Sequence, residues 1–207
     1  LNMFDEEFLS YLADFKFDGT IWAVPEGTPV FPYEPLVTVK GKLIEAQLLE
    51  TFLLVTINHQ SLIATKTHRV VQEAKGRPVM EFGARRAQGY DGATYGARAA
   101  YIGGAAGTAT VSAGQAFGIP VLGTMAHSFV QSFDSEYEAF KAYAEIYPDS
   151  CILLVDTYDT LKSGIPNAIR VAEEVLQPMG KTLAGIRIDS GDIAYLTKKA
   201  RMMLDVA

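Results

Sequence analysis

The sequence predicts an α/β fold that contains a partial α/β barrel. After Gly76, short apolar runs alternate with helical patterns, and each run ends in a cluster of polar residues. The distance along the chain from Leu122 to Val155 is 33 positions, and from Val155 to Ile188 it is again 33, the length of a strand-helix-strand unit. Apolar strands that alternate with helices indicate a parallel sheet covered on both faces. A doubly wound open sheet is the alternative that this pattern leaves open.

The apolar runs are the predicted strands of this sheet. In such folds, reactive residues lie where the strands end, because the carboxyl ends of the strands open onto the cleft. We therefore expect the polar clusters that follow the runs to form the functional site. The runs are Val79–Met80, Ile119–Leu122, Ile152–Val155 and Leu183–Ile188.

Helices are predicted between these strands from their start and stop signals. Ser135 and Glu138 form a capping-box pattern, and the helix that they open must end before Pro148. Pro166 suits the first turn of the next helix, which Gly180 terminates.

The first part of the chain has a different pattern, with short alternating strands and a long helix. The change after Gly76 places a domain boundary there, with an α+β part and its connecting helix over residues 1–75 and the partial, TIM-like barrel over residues 76–207. The predicted elements of the first part are a helix over Asn2–Phe17, strands over Ile21–Val24 and Leu36–Val39, and a helix over Leu43–Ala74.

Composition excludes several classes of protein. Hydrophobic residues make up 49% of the chain and charged residues 20%, as in soluble globular proteins. The net charge of −6 argues against a nucleic-acid partner. No apolar run is long enough to span a bilayer, and no secretion signal opens the chain, so we expect no membrane partner and a cytoplasmic location. Cys151 is predicted to be a buried thiol, and the start at Leu1 and the stop at Ala207 suggest that both ends are cut.

His127 is the first candidate for chemistry. A histidine at a strand end, close to Thr124 and Ser128, suits a general base, a phosphoryl acceptor or a metal ligand. A core histidine bonded to a backbone carbonyl is the alternative. No spacing of His and Cys resembles a zinc site, so we predict no metal site of that kind.

The second candidate is the turn after the last predicted strand. Arg187 precedes it, and Asp189, Ser190, Gly191 and Asp192 form it. Carboxylates on a tight turn suit ribose hydroxyls or Mg²⁺, and an arginine suits a carboxylate or a phosphate. The alternative is an ordinary turn that caps the next helix.

Further candidates follow the other strands. Asp156 comes directly after a buried strand and is well placed for the cleft, whereas Asp159 could simply cap a helix. Arg85 and Arg86 end the first strand with Phe82 beside them, and a basic strand end with an aromatic face fits a planar anionic ligand; the alternative is that the paired arginines form a solvated edge. The glycine-rich segment 103–110 lacks the spacing of a dinucleotide loop.

Three motifs resemble those of the nicotinate phosphoribosyltransferase family. They occur in the family's order, and the resemblance extends over nearly the whole chain. It implies an irregular α/β barrel packed on a smaller α+β domain, in a homodimer that joins nicotinate to phosphoribosyl pyrophosphate with ATP as co-substrate and Mg²⁺ as cofactor. The motifs are Glu81–Gly89, Gly123–Phe129 and Gly185–Asp192.

The resemblance also implies roles for the candidate residues. His127 resembles the histidine that ATP phosphorylates, which would make it a phosphohistidine. Arg187 and Thr124 resemble residues that hold nicotinate. Asp156 and Asp189 resemble acidic residues near the histidine and the ribose. Phe82 and Arg85 resemble residues that line the pockets for the base and the phosphoribosyl group. Further substrate contacts are implied for Ser190, Gly191 and Asp192.

Three alternatives to this function remain open. Relatives that prefer nicotinamide carry an acidic residue where this chain has Ala109, which argues against a nicotinamide-preferring enzyme. Thr124 and His127 argue against a quinolinate-processing relative. A non-catalytic piece that acts only in binding or dimerisation is the alternative from a different class, because family segments before Leu1 and after Ala207 are expected to complete the site.

Overall fold

A computed structural model describes residues 3–207, so Asn2 of the first predicted helix lies outside the described residues. The chain forms two compact units, a first unit that ends at Leu122 and a second unit from Gly123 to Ala207. This division by contacts differs from the predicted domain boundary between residues 75 and 76, which stays a prediction.

The first unit opens with elements close to those that the sequence predicts. Helix α1 (Glu6–Ala13) begins at Asp5, whose side chain accepts a hydrogen bond from the backbone N–H of Phe8 at 2.8 Å. Strands β1 (Thr20–Ala23) and β2 (Val37–Lys40) pair antiparallel, and helix α2 (Leu43–Glu73) follows. These bounds agree with the predicted helix-strand-strand-helix order.

The core of the first unit lies where α2 meets helix α3 (Gly89–Ile102). Small residues let the two helices approach closely, since a side chain at Gly103 would reach within 2.5 Å of the carbonyl oxygen of Ala64. The buried apolar residues around this contact are mostly alanines: Ala97, Ala99, Ala100, Ala105 and Ala113.

A short parallel pair completes the first unit. Strand β3 (Met80–Glu81) pairs with strand β4 (Gly107–Thr108), which the sequence did not predict. A 3₁₀ turn (Ala84–Arg86) follows β3, and helix α4 (Val111–Phe117) follows β4. The predicted strand at Ile119–Leu122 is reduced to a single parallel bridge between Val121 and Thr108.

The second unit is built on one parallel strand pair and four α-helices among its described elements. Strand β5 (Ile152–Leu154) pairs with strand β6 (Gly185–Arg187), as the sequence predicts. Helices pack around the pair, and the fully buried side chains Phe140, Leu153, Val155, Ile165 and Leu176 form the core. The helices are α5 (His127–Gln131), α6 (Glu136–Ile146), α7 (Ile165–Val171) and α8 (Ile193–Val206), together with the π-helical turns Thr160–Gly164 and Ala172–Leu176.

The predicted helix signals of this unit are confirmed. The Ser135 hydroxyl accepts a hydrogen bond from the Glu138 N–H at 3.2 Å, and α6 ends before Pro148. Pro166 lies in the first turn of α7, and Gly180 has the left-handed backbone typical of a helix end. The two π-helical turns that flank α7 were not predicted.

The α/β class is confirmed, but the closed or partial barrel is not. A barrel requires each strand to be paired on both sides with a consistent stagger. Among the described residues, the strands form three separate two-stranded sheets, so neither the barrel nor the doubly wound alternative is seen. Within residues 3–207, no helix is both long enough and apolar enough to cross a membrane.

The chain just after β5 packs so closely against residue 164 that this residue must be glycine. A Cβ atom at Gly164 would lie 1.8 Å from the carbonyl oxygen of Val155. We expect Gly164→Ala to lower the free energy of unfolding by at least about 2 kcal/mol, because backbone atoms must move to make room. Denaturant unfolding measures this change.

The matched control is Gly123→Ala, where an added Cβ has no neighbour within 4 Å. This variant should stay within about 0.5 kcal/mol of the wild type. Equal stability of the Gly164→Ala variant and the control would show that the close approach at Val155 does not constrain the fold.

Candidate active site

The parallel pairing of β5 and β6 brings two polar strand ends together in the second unit. Leu154 is the register partner of Arg187, so the residues that follow each strand emerge at the same edge. Asp156 and Thr157 follow β5, and Asp189 and Ser190 follow β6. The sequence-based expectation that these clusters meet at one edge is therefore confirmed for the second unit.

His127 lies at this edge, at the first residue of α5. Its Nδ1 atom is 3.2 Å from the hydroxyl oxygen of Thr157, and its Nε2 atom is 3.4 Å from Oδ2 of Asp189. The side chain is 39% exposed. The alternative of a core histidine bonded to a backbone carbonyl is not what these contacts show. The ring is instead accessible to solvent and is held between a hydroxyl and a carboxylate.

Arg187, the last residue of β6, connects two further candidates. One guanidinium nitrogen donates a hydrogen bond to the Thr124 hydroxyl, and the other donates to Oδ1 of Asp189 at 2.8 Å. Asp189 therefore contacts His127 through one oxygen and Arg187 through the other. These contacts place Thr124, His127, Arg187 and Asp189 in one network.

The charge of Asp189 is stabilised by this network. The hydrogen bond from Arg187 is the largest influence and lowers the pKa of the Asp189 carboxyl. Partial burial acts in the opposite direction, while the positive charge of Arg187 and then the contact with His127 lower the pKa further. Asp189 is therefore an ionised acceptor beside the imidazole.

Asp156 holds the turn that carries Asp189. Its side chain is 9% exposed, and Oδ2 accepts hydrogen bonds from the backbone N–H of Asp189 at 2.9 Å and from the Ser190 hydroxyl at 2.6 Å. Among the described residues, its other oxygen, Oδ1, is buried without a hydrogen-bond partner. A buried acceptor that lacks a donor is costly, which points to a ligand or water that completes it.

The rest of the turn is shaped for α8. Gly191 has φ +78°, a left-handed conformation that favours glycine. The Asp192 side chain accepts a hydrogen bond from the Tyr195 N–H at 3.0 Å, so Asp192 caps α8. The helix-capping alternative is therefore correct for the geometry of Asp192, while its role as a substrate contact stays a prediction.

Other sequence-based candidates lie outside this network. Phe82 and Arg85 belong to the first unit, where they follow β3, and their predicted roles are untested. Asp159 caps the π-helical turn by accepting hydrogen bonds from the N–H groups of Leu161 and Lys162. Cys151 is fully buried, and this burial raises the pKa of its thiol to about 11, as expected for a packed thiol.

Thr157 is the member of the network that sequence reasoning missed. The predicted site residues of the β5 cluster were its carboxylates, although the Thr157 hydroxyl, which directly follows Asp156 at the strand end, was a usable signal. In the part of the chain that the structure describes, no cluster of three or more His, Cys, Asp and Glu side chains could hold a metal ion.

The fold and the site define an α/β protein whose strand ends gather a histidine, an arginine and two carboxylates. Two family models match the chain: the nicotinate phosphoribosyltransferase (NAPRTase) N-terminal domain over residues 1–58 and the nicotinate phosphoribosyltransferase (NAPRTase) family over residues 78–204. The chain belongs to the nicotinate phosphoribosyltransferase family, which confirms the resemblance of its motifs.

Individual relatives are similar over nearly the whole chain. A nicotinate phosphoribosyltransferase of Mycobacterium tuberculosis is 51% identical over 207 residues, which is 100% of this chain and 44% of the relative. The Bacillus subtilis nicotinate phosphoribosyltransferase is 52% identical over 204 residues, which is 99% of this chain and 41% of the relative. The chain thus spans less than half the length of these curated relatives.

Solved structures share the fold. The crystal structure of human nicotinic acid phosphoribosyltransferase superposes with a TM-score of 0.89 and 33% identity, over 99% of this chain and 50% of that chain. A nicotinate-nucleotide pyrophosphorylase from Pyrococcus furiosus gives a TM-score of 0.81 and 29% identity, over 97% of this chain and 51% of that chain.

The Asp189 network predicts a titration that can be measured. Since the folded-state pKa of Asp189 is lowered, its ion pair stabilises the protein above the ordinary carboxyl pKa of 3.8 and loses this effect as the pH falls through the folded-state value. We expect ¹³C NMR titration to give a pKa below 3.8 for Asp189, and Arg187→Met to raise it.

Arg170→Met is the matched control, because Arg170 pairs with Glu174 on the surface of the same unit. This substitution should leave the pKa of Asp189 unchanged. A wild-type Asp189 that titrates at or above 3.8 would contradict the ion pair with Arg187.

Proposed function

We propose that the protein that contains this chain transfers the phosphoribosyl group of phosphoribosyl pyrophosphate to nicotinate, which gives nicotinate mononucleotide in NAD salvage. One observation carries the proposal: Arg187 lies in one network with Thr124, Asp189 and His127, in a chain of this family. The names of the bacterial relatives support the same activity. They do not favour the nicotinamide, quinolinate or non-catalytic alternatives.

Arg187 and Thr124 are proposed to hold nicotinate. Nicotinate is a planar anion, and a guanidinium binds a carboxylate with paired hydrogen bonds in a fixed geometry. The contacts of Arg187 with Thr124 and Asp189 orient its guanidinium before the substrate arrives. A pre-oriented arginine both binds the base and aims its ring nitrogen, which lowers the entropic part of the barrier.

In the transfer step, one bond forms and one bond breaks at the anomeric carbon of phosphoribosyl pyrophosphate. The pyridine nitrogen of nicotinate supplies the electron pair of the new C–N bond, and the C–O bond to pyrophosphate breaks with its pair on the leaving group. Positive charge develops on the ribose ring in between. The carboxylates of Asp156 and Asp189 suit that charge or the ribose hydroxyls, and the turn of Ser190, Gly191 and Asp192 provides further contacts.

His127 is proposed to be the phosphoryl acceptor of ATP. Its exposed ring can reach an external phosphate, and phosphorylation adds about two negative charges beside the carboxylates. Hydrolysis of the phosphohistidine then releases phosphate and makes the overall reaction favourable. His127 therefore gives the proposed use of ATP a definite residue in this chain.

Mg²⁺ is proposed as the cofactor, with its ligands shared between protein and substrate. Mg²⁺ commonly binds one or two carboxylates together with substrate phosphates, so a protein-only cluster is not required. The buried Oδ1 of Asp156, which has no hydrogen-bond partner among the described residues, and the ionised Asp189 fit such a shared site. When bound, the ion neutralises charge on the leaving pyrophosphate.

Nicotinate is preferred over nicotinamide in this proposal because of Ala109. Ala109 directly follows β4, and its N–H donates to the carbonyl oxygen of Glu81 at 2.9 Å. Its methyl group provides no acceptor for the amide N–H of nicotinamide, and it does not repel a carboxylate.

Phe82 and Arg85 are proposed to line the base and phosphoribosyl pockets of a cytoplasmic homodimer.

The phosphoryl step can be tested with γ-labelled ATP and Mg²⁺ on the full-length protein. We expect acid-labile, alkali-stable label in the wild type and none in His127→Ala, which should retain slow transfer without ATP stimulation. His59→Ala is the matched control, because His59 lies on α2 in the first unit, and this variant should keep the label. Nicotinate transfer without any label would remove ATP coupling through His127 from the proposal.

The substrate can be tested by steady-state kinetics with nicotinate, nicotinamide and quinolinate. We expect nicotinate to be turned over best, and Arg187→Gln to raise its KM roughly tenfold or more, because the variant loses a charged hydrogen-bond partner. Arg201→Gln, which removes a surface ion pair with Asp205 on α8, is the control and should keep the wild-type KM. A higher kcat/KM for nicotinamide than for nicotinate would overturn the assignment of the base.

A further inference from the structure

We propose that Thr157 is a positioning residue, whose hydroxyl holds Nδ1 of His127 so that the Nε2–H of the ring faces Asp189. The functional meaning of this role rests on the proposed function of His127, but the contact itself does not. Three features of the site support this role: the partners of the two ring nitrogens, the anchoring of the β5 end, and the exposure of the histidine.

The partner of Nε2 determines which nitrogen carries the proton. Asp189 Oδ2 lies 3.4 Å from Nε2, and the other oxygen of this carboxylate accepts a hydrogen bond from Arg187. An ionised carboxylate can only accept hydrogen bonds. The pair is therefore favourable only when Nε2 bears the hydrogen.

When the ring is neutral, the group that contacts Nδ1 can then act only as a hydrogen-bond donor. With the hydrogen on Nε2, Nδ1 keeps its lone pair and can only accept. The Thr157 hydroxyl oxygen lies 3.2 Å from Nδ1, so in this tautomer the threonine O–H is the donor. The carboxylate and the hydroxyl thus select the same tautomer from opposite sides of the ring.

Thr157 is suited to this task because its backbone is fixed. The preceding residue, Asp156, is bonded to the turn of Asp189 and Ser190, and the Val155 carbonyl is packed against Gly164. A β-branched side chain has restricted χ1 rotation, so a fixed backbone limits the hydroxyl to a few positions. The end of β5 therefore sets the positions of both groups that contact the histidine ring.

His127 needs such a partner. Its side chain is 39% exposed and lies at the start of a helix of five residues. Rotation about χ2 of a histidine is broad and roughly two-fold, so packing alone defines the ring weakly. Without Thr157, we expect the ring to populate its other tautomer and flipped orientations, in which Nε2–H no longer meets Asp189.

The first test is the tautomer of His127 in the full-length protein, measured from the ¹⁵N shifts of both ring nitrogens. We expect the Nε2–H form to dominate in the wild type and in Thr157→Ser, which keeps the hydroxyl. Thr157→Val keeps the shape and loses the hydroxyl, and should change the tautomer ratio about two- to tenfold, the scale of one neutral hydrogen bond. Thr157→Ala serves if the valine variant does not fold.

The second test is the rate at which ATP labels His127. The ring nitrogen that attacks the γ-phosphorus of ATP, with ADP leaving, must have a lone pair, and in this tautomer that nitrogen is Nδ1, which accepts from Thr157. Thr157→Val should therefore change this rate about two- to tenfold, Thr157→Ser should restore the wild-type rate, and the KM for nicotinate should stay unchanged. Thr197→Val is the matched control, because the exposed Thr197 hydroxyl donates to the carbonyls of Ile193 and Ala194 within α8, away from His127. It should match the wild type in both tests.

The outcomes separate this proposal from the proposed function. An unchanged tautomer ratio in Thr157→Val, or a serine variant as defective as the valine variant, would overturn the role of Thr157. A shifted ratio in a protein whose His127 takes no label even in the wild type would support Thr157 and reject ATP coupling through His127.

Discussion

The parallel pairing of β5 with β6 is the constraint on which the site depends. Its register sets Leu154 opposite Arg187, so that Asp156 and Asp189, which are far apart in sequence, meet at one edge. Beyond the paired strands, the Asp156 side chain holds the two strand ends together, because it accepts hydrogen bonds from the Asp189 N–H and the Ser190 hydroxyl. A shift of this register by one residue would turn alternate side chains to the opposite face and separate these groups.

The same arrangement explains how the partly buried site can hold the negative charge of Asp189. Asp189 is stabilised mainly by its hydrogen bond with Arg187, which also lowers the pKa of the Asp189 carboxyl. The positive charge of Arg187 is thereby paired with the negative charge of Asp189, whose other oxygen lies next to His127. Asp156 is different, since it is buried and one of its oxygens has no donor among the described residues. A site of this kind favours ligands that bring positive charge or hydrogen-bond donors to Asp156 and a carboxylate to Arg187.

Much of this site was predictable, because its residues follow apolar runs directly. His127, Arg187, Asp156 and Asp189 were all singled out at strand ends, and the structure brings them together. Thr157 was missed because the carboxylates of the same cluster were given priority, although its place directly after Asp156 marked it as a strand-end residue. Strand β4 was missed because two residues are too few for any hydrophobic period. The partial barrel is not confirmed, since alternation of strands and helices does not fix which strand edges pair.

The sequence by itself determined the α/β class, the helix ends at Ser135, Pro148 and Gly180, and membership of the nicotinate phosphoribosyltransferase family. These features are local, because caps, proline and glycine act within a few residues, and the motifs are contiguous. Only the tertiary structure decided which nitrogen of His127 meets Thr157 and which meets Asp189. Those contacts join residues about thirty to sixty positions apart, and their geometry depends on strand register and helix packing, which no local pattern encodes.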